Sequence, residues 1–141
     1  MGMLILEVQV FLMPTMKVTC AIIIVDQRIL CVQRSSQMSQ PLRWELPGGK
    51  VEAGESLEDS LIREIHEELN LNIEIIEELK SNVHKYSNEL TIKLIPFICR
   101  IKSGTLVLKE HSQAIWLKKR QLLQLDWADA DIPIVKDFIN I

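Results

Sequence analysis

Three glutamates, Glu64, Glu67 and Glu68, lie close together in the chain. In a helix, residues at positions i, i+3 and i+4 project from one side, so these carboxylates would converge. Three like charges at that spacing repel one another and would weaken an isolated helix. A divalent cation removes the conflict, because carboxylate oxygens suit Mg²⁺ or Mn²⁺, and Mg²⁺ also keeps waters and binds substrate phosphates. The alternative is a solvated acidic helix face, and the surrounding residues decide between the two.

The segment around these glutamates has the signals of a helix that buries one face. Leucine or isoleucine stands at every fourth position from 57 to 69, which predicts an apolar stripe. Ser56 is the predicted N-cap, with Asp59 at the third helical position as an acidic variant of the capping box. Asn70 follows the last apolar position, and asparagine is the next-best residue after glycine for a left-handed C-cap.

The helix is part of a longer pattern that runs from Gly49 to Leu71. It reads Gly, five residues, Glu, seven residues, Arg-Glu, an aliphatic residue, any residue, Glu-Glu, two residues and an aliphatic residue. This pattern resembles the Nudix box of the Nudix hydrolases, with one departure: Asn70 stands where the family has glycine. At residue usages of roughly 6% each, six fixed letters coincide by chance about once in 10⁷ windows. The whole pattern therefore favours a metal site over a solvated acidic face.

The likeness extends beyond the box to the MutT-like branch of the family, over residues 17–138. It is carried, in chain order, by the segments VTCAIIIVDQRILCVQRSSQ, RWELPGGKVEAGE, EHSQAIWL and ADADIP. The resemblance implies an α/β fold, the Nudix α/β/α sandwich with a mixed β-sheet between helices. It also implies hydrolysis of nucleoside or deoxynucleoside triphosphates, modified or oxidised ones included, to a monophosphate and pyrophosphate. Within this branch the chain is most similar to bacterial pyrophosphohydrolases that act on CTP, 5-methyl-dCTP and oxidised purine nucleotides such as 8-oxo-dGTP.

The resemblance also implies roles for individual residues around a Mg²⁺ or Mn²⁺ site. The implied metal ligands are the Gly48 carbonyl and the carboxylates of Glu64, Glu67, Glu68 and Glu110. Arg63 matches the arginine that ion-pairs with Glu55 and holds the preceding loop against the helix, so this pair supports the catalytic glutamates. A metal lowers the pKa of a bound water, and Glu64 is the candidate base for that water.

Three further residues are candidates for substrate contact. Lys50 is placed to contact phosphate, and Arg34 matches a position that lines the nucleotide pocket. Asp131 aligns with the Asn or Asp that hydrogen-bonds the base in MutT-like enzymes. The alternative is that Asp131 only caps the last helix.

The histidines and one tyrosine are interpreted as non-catalytic. His66 lies two residues from Glu64 and so points away from the glutamates, which indicates a surface histidine. His84 and His111 belong to no recognisable motif, although His111 follows Glu110 directly. Tyr86 is interpreted as a tyrosine at the end of a strand.

Length and composition predict one domain that acts on small molecules. The chain has 141 residues, enough for one core; residues 16–141 are assigned to a single Nudix domain and residues 1–15 to an N-terminal extension, either an extra strand or a tail. A net charge of −3 gives no general attraction to nucleic acid polymers or membranes, so a nucleotide must be held by a local site. Three cysteines without a CxxC pair indicate reduced thiols and a cytoplasmic protein, expected to be a monomer or a homodimer.

The order of apolar runs and turn residues predicts strands interleaved with helices. Strands are predicted at 17–25, 29–34, 43–46, 72–85, 89–101, 105–108 and 112–117, with helices at 57–69, 118–125 and from about 131 to the end. Pro96 indicates that its strand lies at a sheet edge or carries a bulge.

Two other kinds of function remain open from the sequence. One is hydrolysis of dinucleoside polyphosphates or nucleotide sugars by the same metal chemistry. The other is a non-catalytic, nucleotide-sensing Nudix domain, a kind that usually has a damaged box. The box is intact in this chain, which favours an enzyme.

Overall fold

A computed structural model describes residues 15–141 of the chain. The elements in order are β1 (Thr15–Val25), β2 (Arg28–Gln33), β3 (Trp44–Glu45), β4 (Gly48–Lys50), α1 (Leu57–Leu69), β5 (Leu71–Glu78), β6 (Asn82–Lys85), β7 (Thr91–Gly104), β8 (Gln113–Lys118), a 3₁₀-helix (Lys119–Gln124) and α2 (Asp131–Ile139). The predicted N-terminal extension, residues 1–15, lies outside the described residues except for Thr15, with which β1 begins.

Strand β1 organises the sheet because it pairs with three other strands. It runs parallel to β7 from Thr15 to Ile23, and antiparallel to β4 around Cys20. A tight turn at Asp26 and Gln27, both with positive φ, returns the chain into β2. Strand β2 in turn pairs with β3 and β8, while β5 and β6 pair with the other edge of β7. The mixed sheet predicted from the sequence is therefore confirmed.

The two α-helices cover opposite faces of the sheet, as the alternation along β1 requires. Ala21 and Ile23 pack in the cluster that contains the buried face of α1, and Cys20 and Ile22 pack in the cluster that contains α2. All four side chains are at least 98% buried, so the nearly unbroken apolar run of β1 reflects burial on both faces. This arrangement confirms the predicted α/β class and its helix–sheet–helix layers.

Both predicted ends of α1 are confirmed. The Ser56 hydroxyl accepts a hydrogen bond from the Asp59 N–H at 3.1 Å, which satisfies one of the unpaired donors of the first turn. Asn70 adopts the left-handed conformation (φ 59°, ψ 31°), and its N–H donates to the His66 carbonyl at 3.0 Å. The Asn70 side chain also donates to the Thr105 carbonyl at 3.0 Å. Asparagine therefore ends the helix at the position where the family has glycine.

Of the two alternatives predicted for Pro96, the sheet edge is wrong, because β7 is an inner strand paired on both sides, whereas its ladder with β5 does contain bulge-like register shifts. Its second neighbour changes from β6 to β5 along its length: β6 pairs as far as Leu94, and β5 pairs from Phe97 onward. Pro96 lies at this break, where its carbonyl accepts a hydrogen bond from the Leu79 N–H at 2.9 Å. The missing N–H of proline falls where the ladder is interrupted, which explains how an inner strand tolerates it.

The predicted strand at 105–108 is also wrong. Strand β7 ends at Gly104 (φ 103°), and the chain then runs past the C-terminal end of α1. Its backbone donates from Val107 to the Leu69 carbonyl at 3.0 Å and from Lys109 to the Glu68 carbonyl at 3.3 Å. The segment thus satisfies carbonyls that the last helical turn leaves unpaired, and it does not need a sheet partner. No helix of the described residues is long and apolar enough to cross a membrane.

Candidate active site

A cavity of about 530 Å³ opens beside β1 and β4 and reaches the N-terminal end of α2. Six of the residues singled out from the sequence line it: Arg34, Gly48, Lys50, Glu68, Glu110 and Asp131. They come from distant parts of the chain, and the fold brings them to one place. The remaining four predicted residues, Glu55, Arg63, Glu64 and Glu67, are linked to one another beside this cavity by hydrogen bonds of Arg63.

Arg63 holds the loop before α1 against the helix. Its Nε donates to Glu55 at 2.7 Å and a terminal nitrogen to the other Glu55 oxygen at 2.9 Å, a two-point contact. The second terminal nitrogen donates to Glu64 and Glu67, each at 3.1 Å, and the first also donates to the Lys50 carbonyl at 3.3 Å. The hydrogen bonds from Arg63 lower the pKa of Glu55 to about 2, and the carboxylates raise the pKa of Arg63. One guanidinium therefore partners three of the box glutamates.

Glu68 is in a different situation from the glutamates that contact Arg63. Its Oε2 is buried and has no hydrogen-bond partner within the described part of the chain. Burial raises the pKa of Glu68 to about 8, helped by the negative charges of Glu64 and Glu110. A buried oxygen without a partner, beside two further carboxylates, suits a hard divalent cation, which prefers oxygen ligands. The residues present therefore fit Mg²⁺ or Mn²⁺.

The metal ligands are nevertheless not gathered in this structure. Among residues 15–141, no three Asp, Glu, His or Cys side chains are grouped closely enough to hold a metal ion. Glu64 and Glu67 contact Arg63, whereas Glu68 and Glu110 line the cavity. The predicted ligand set, the catalytic set and the metal itself therefore stay predictions.

Two adjacent glycines of β4 are required for different reasons. A Cβ on Gly48 would lie 1.9 Å from the backbone oxygen of Thr19 on the neighbouring strand. A Cβ on Gly49 would lie 2.3 to 2.7 Å from the carboxylate atoms of Glu64. Gly48 thus allows β4 to approach β1, and Gly49 leaves room for the candidate base.

We expect alanine at these two positions to have distinct effects. Gly48→Ala must displace strand backbone and should lower the melting temperature strongly. Gly49→Ala meets only the end of the Glu64 side chain, so the fold should persist while hydrolysis falls as Glu64 is pushed aside. Thermal melting together with turnover checks both variants. Equal loss of stability in the two would contradict the assignment of Gly49 to the site.

The alternative that Asp131 only caps the last helix is wrong. The N-cap of α2 is Ala130, and no side-chain cap hydrogen bond is formed there. The Asp131 Oδ2 instead accepts a hydrogen bond from the Leu46 N–H at 2.9 Å, and both residues line the cavity. Burial raises the pKa of Asp131 to about 8, and the charge of Glu45 adds to the shift. The raised pKa favours the protonated carboxyl group, which can donate as well as accept a hydrogen bond.

Glu45 and His111 also line the cavity, and neither was singled out as a site residue from the sequence. One Glu45 oxygen accepts from Arg34 at 2.7 Å, and the other contacts His111 Nε2 at 2.8 Å. Burial alone would raise the pKa of Glu45, but the hydrogen bond from His111 and the charge of Arg34 outweigh it and lower that pKa. Two features of the sequence could have indicated these residues. Glu45 lies among apolar residues just before Pro-Gly-Gly, and His111 directly follows Glu110.

Among the other aromatic residues and histidines of residues 15–141, only Tyr86 joins His111 at the cavity wall. Its hydroxyl accepts a hydrogen bond from Gln40 at 3.4 Å. Trp127 is buried and donates its indole N–H to the Leu122 carbonyl at 2.7 Å, so it belongs to the core. His66 is exposed, as predicted.

Comparisons with known proteins agree with this fold. The NUDIX domain family matches residues 14–138. The CTP pyrophosphohydrolase of Escherichia coli (strain K12) is 36% identical over 129 residues, which cover 92% of this chain and 95% of that protein. The putative 8-oxo-dGTP diphosphatase 2 of Mycobacterium tuberculosis (strain ATCC 25618 / H37Rv) is 31% identical over 103 residues, 73% of each chain. The solution structure of MutT from methicillin-resistant Staphylococcus aureus 252 matches with a TM-score of 0.73 and 39% identity, covering 90% of this chain and 97% of that one.

Proposed function

The chain belongs to the Nudix hydrolase family, and we propose that it hydrolyses nucleoside or deoxynucleoside triphosphates, with Mg²⁺ or Mn²⁺, to a monophosphate and pyrophosphate. Modified and oxidised nucleotides are included among its substrates. The observation that carries the proposal is a single cavity lined by two chemically different kinds of group. Glu68 contributes a buried carboxyl oxygen without a hydrogen-bond partner among residues 15–141, whereas Arg34 and Asp131 contribute groups that can hydrogen-bond a base, and we assign the two kinds to two ends of the cavity. The names of the relatives, a CTP pyrophosphohydrolase and a putative 8-oxo-dGTP diphosphatase, support the same substrate class.

The acidic end is proposed to hold the phosphates. Gly48, Glu68 and Glu110 would bind the metal there together with Glu64 and Glu67, both of which contact Arg63 in this structure. When bound, the metal neutralises phosphate charge and lowers the pKa of a coordinated water. Glu64 takes the proton from the attacking water, whose oxygen forms the new bond to phosphorus. The bond from that same phosphorus atom to the α–β bridging oxygen breaks, which separates the monophosphate from pyrophosphate.

The other end is proposed to hold the base. Apolar side chains form much of the wall around it: Met16, Val18, Met38, Leu90, Ile92 and Leu94. A flat heterocycle suits such an apolar cleft, and a few polar groups then fix its orientation. Asp131 is the group proposed to recognise the base by hydrogen bonding. Arg34 is linked to it indirectly, because Arg34 donates to Glu45 and the charge of Glu45 raises the pKa of Asp131. Lys50, which is exposed at the cavity edge, is proposed to contact phosphate.

A substrate panel tests this proposal. Nucleoside triphosphates, oxidised and methylated deoxynucleotides, dinucleoside polyphosphates, nucleotide sugars and ADP-ribose are incubated with Mg²⁺ and the protein. Pyrophosphate release from triphosphates is the expected result. Turnover of only dinucleotides or nucleotide sugars would favour the alternative substrate class. Nucleotide binding without turnover of any compound would remove the catalytic proposal.

Replacing Asp131 should change which base is preferred. Asp131→Asn keeps an oxygen that accepts from Leu46 but cannot change protonation state, so the fold should be retained. Relative kcat/KM among CTP, dCTP, 8-oxo-dGTP and dGTP should then shift by about 10- to 100-fold, the effect of one buried hydrogen bond lost or gained. The metal dependence should not change.

Two further variants separate an effect on base recognition from an effect on protein stability. Asp131→Ala leaves the Leu46 N–H without its partner and should lower the free energy of unfolding by about 1–3 kcal/mol. Asp137→Asn, an exposed position on the same helix, is the matched control and should leave selectivity unaltered. A uniform drop across all four nucleotides in Asp131→Asn would show that Asp131 does not read the base.

A further inference from the structure

The loop of residues 109–112 carries Glu110 between two backbone anchors. On one side the Lys109 N–H donates to the Glu68 carbonyl at 3.3 Å. On the other side the Ser112 N–H donates to the Gln33 carbonyl at 3.0 Å. Between these anchors, the buried side chain in the loop is His111, which is 7% exposed. The position of Glu110 over the cavity thus depends on what His111 contacts.

His111 contacts a carboxylate that is fixed at both oxygens. Its Nε2 lies 2.8 Å from one oxygen of Glu45, and Arg34 donates to the other at 2.7 Å. The Arg34 Nε in turn donates to the Ser39 carbonyl at 2.7 Å, in the loop after β2. A continuous set of contacts therefore runs from the Glu110 loop, through His111 and Glu45, to Arg34 at the base end of the cavity.

The second ring nitrogen of His111, Nδ1, indicates that water or ligand atoms in the cavity complete this set of contacts. Its Nδ1 is buried and lacks a hydrogen-bond partner among residues 15–141. Two other side-chain atoms of the described residues share that condition, Thr19 Oγ1 and Glu68 Oε2, and all three residues line the same cavity. Buried polar atoms without partners are unfavourable, so water or ligand atoms in the cavity are needed to satisfy them.

We propose that His111 is a positioning residue that joins the two ends of the cavity: it fixes Glu45 and Arg34 at the base end and anchors the Glu110 loop at the acidic end. This inference rests on the proposed function, because the two ends are the proposed base and phosphate sites. His111 acts through Glu45 and the loop, and it takes no part in proton transfer. Loss of the contact should therefore raise KM through the base end and lower kcat through the Glu110 loop.

Three substitutions separate the two ring nitrogens. Glutamine places an amide N–H at about the reach of Nε2, asparagine reaches only as far as Nδ1, and alanine removes both. His111→Ala and His111→Asn should lower kcat/KM by about 10- to 100-fold, as for other residues that hold a ligating or binding side chain in position without contacting the ligand themselves. His111→Gln should recover most of the loss. Gln113→Ala, which removes an exposed hydrogen bond to Gln33 next to the same loop, is the control and should stay within twofold of the unsubstituted protein.

A double-mutant cycle with Glu45→Ala tests the route of the effect. If His111 acts through Glu45, His111→Ala should have less than a twofold further effect on kcat/KM in the Glu45→Ala background. Fully multiplicative losses would overturn the proposal, and so would a lower melting temperature with unchanged kcat and KM. Failure of the unsubstituted protein to hydrolyse any triphosphate would instead refute the proposed function, and this inference with it.

Discussion

Glu68→Gln should lower kcat by about 100-fold or more while making the metal-free protein more stable at pH 8. The loss of activity is expected because Glu68 supplies a buried oxygen to the proposed metal site. The gain in stability is expected because this oxygen lies beside Glu64 and Glu110, whose charges, together with burial, oppose its ionisation. A neutral amide of the same shape does not face that repulsion.

The sign of the pH dependence follows from the raised pKa. In the unfolded chain the Glu68 carboxyl loses its proton near its ordinary pKa of 4.5, whereas in the folded protein it keeps that proton until about pH 8. Between these values the folded state binds more protons, so its stability falls as the pH rises. Thermal melting in the presence of a chelator should show this decline in the unsubstituted protein and a smaller decline in Glu68→Gln.

Added Mg²⁺ provides the contrast, because binding only to the folded state raises the melting temperature. That increase should occur in the unsubstituted protein and be lost or reduced in Glu68→Gln. Glu58→Gln, an exposed position in the first turn of the same helix, is the control. Near-normal turnover in Glu68→Gln, or an unchanged response to Mg²⁺, would remove Glu68 from the ligand set.

Arg63→Ala should lower both the melting temperature and the rate, the latter by about 10- to 100-fold. Arg63 is 24% exposed, and its removal leaves Glu55 without the guanidinium that lowers its pKa. It also removes the hydrogen bonds to Glu64 and Glu67, so the proposed ligands lose a fixed orientation. Arg63→Lys should restore the charge but not the two-point contact, and its effect should therefore be intermediate.

The exposed pair of Arg100 and Glu74 is a matched control for this prediction. It is also an arginine–glutamate contact, at 2.7 Å, but its side chains are 64% and 42% exposed. Exposed pairs contribute little to stability, so Arg100→Ala should leave melting and turnover almost unchanged. If Arg63→Ala behaves like Arg100→Ala, the Arg63 contacts do not support the site.

The sequence was most informative where the relevant interactions are local. Helix α1 follows from its apolar spacing, the Ser56 cap and the left-handed Asn70, all of which act within a few residues of one another. Strand β1 follows from a long apolar run, because burial on both faces removes the alternation expected of a half-exposed strand. The acidic positions of the box were readable for the same reason, since their spacing on one helix is fixed by the helix itself.

The sequence was least informative where distant segments meet. The prediction of a sheet edge at Pro96 failed because the change of partner from β6 to β5 depends on the whole sheet. Asp131 resembles a helix cap locally, but its partner is the N–H of Leu46, which is 85 positions away. The contact between Glu45 and His111 spans 66 positions, and no local sequence pattern predicts it.

We propose that one end of the cavity binds a metal and the phosphates while the other end holds the base. Hydrolysis should then break one bond of a triphosphate, at the α–β bridging oxygen. Phosphorus NMR of CTP incubated with the protein and Mg²⁺ measures this directly. CMP and pyrophosphate should appear in equal amounts, and neither product should form after a chelator is added. Release of CDP and inorganic phosphate, or equal turnover with the chelator present, would contradict it.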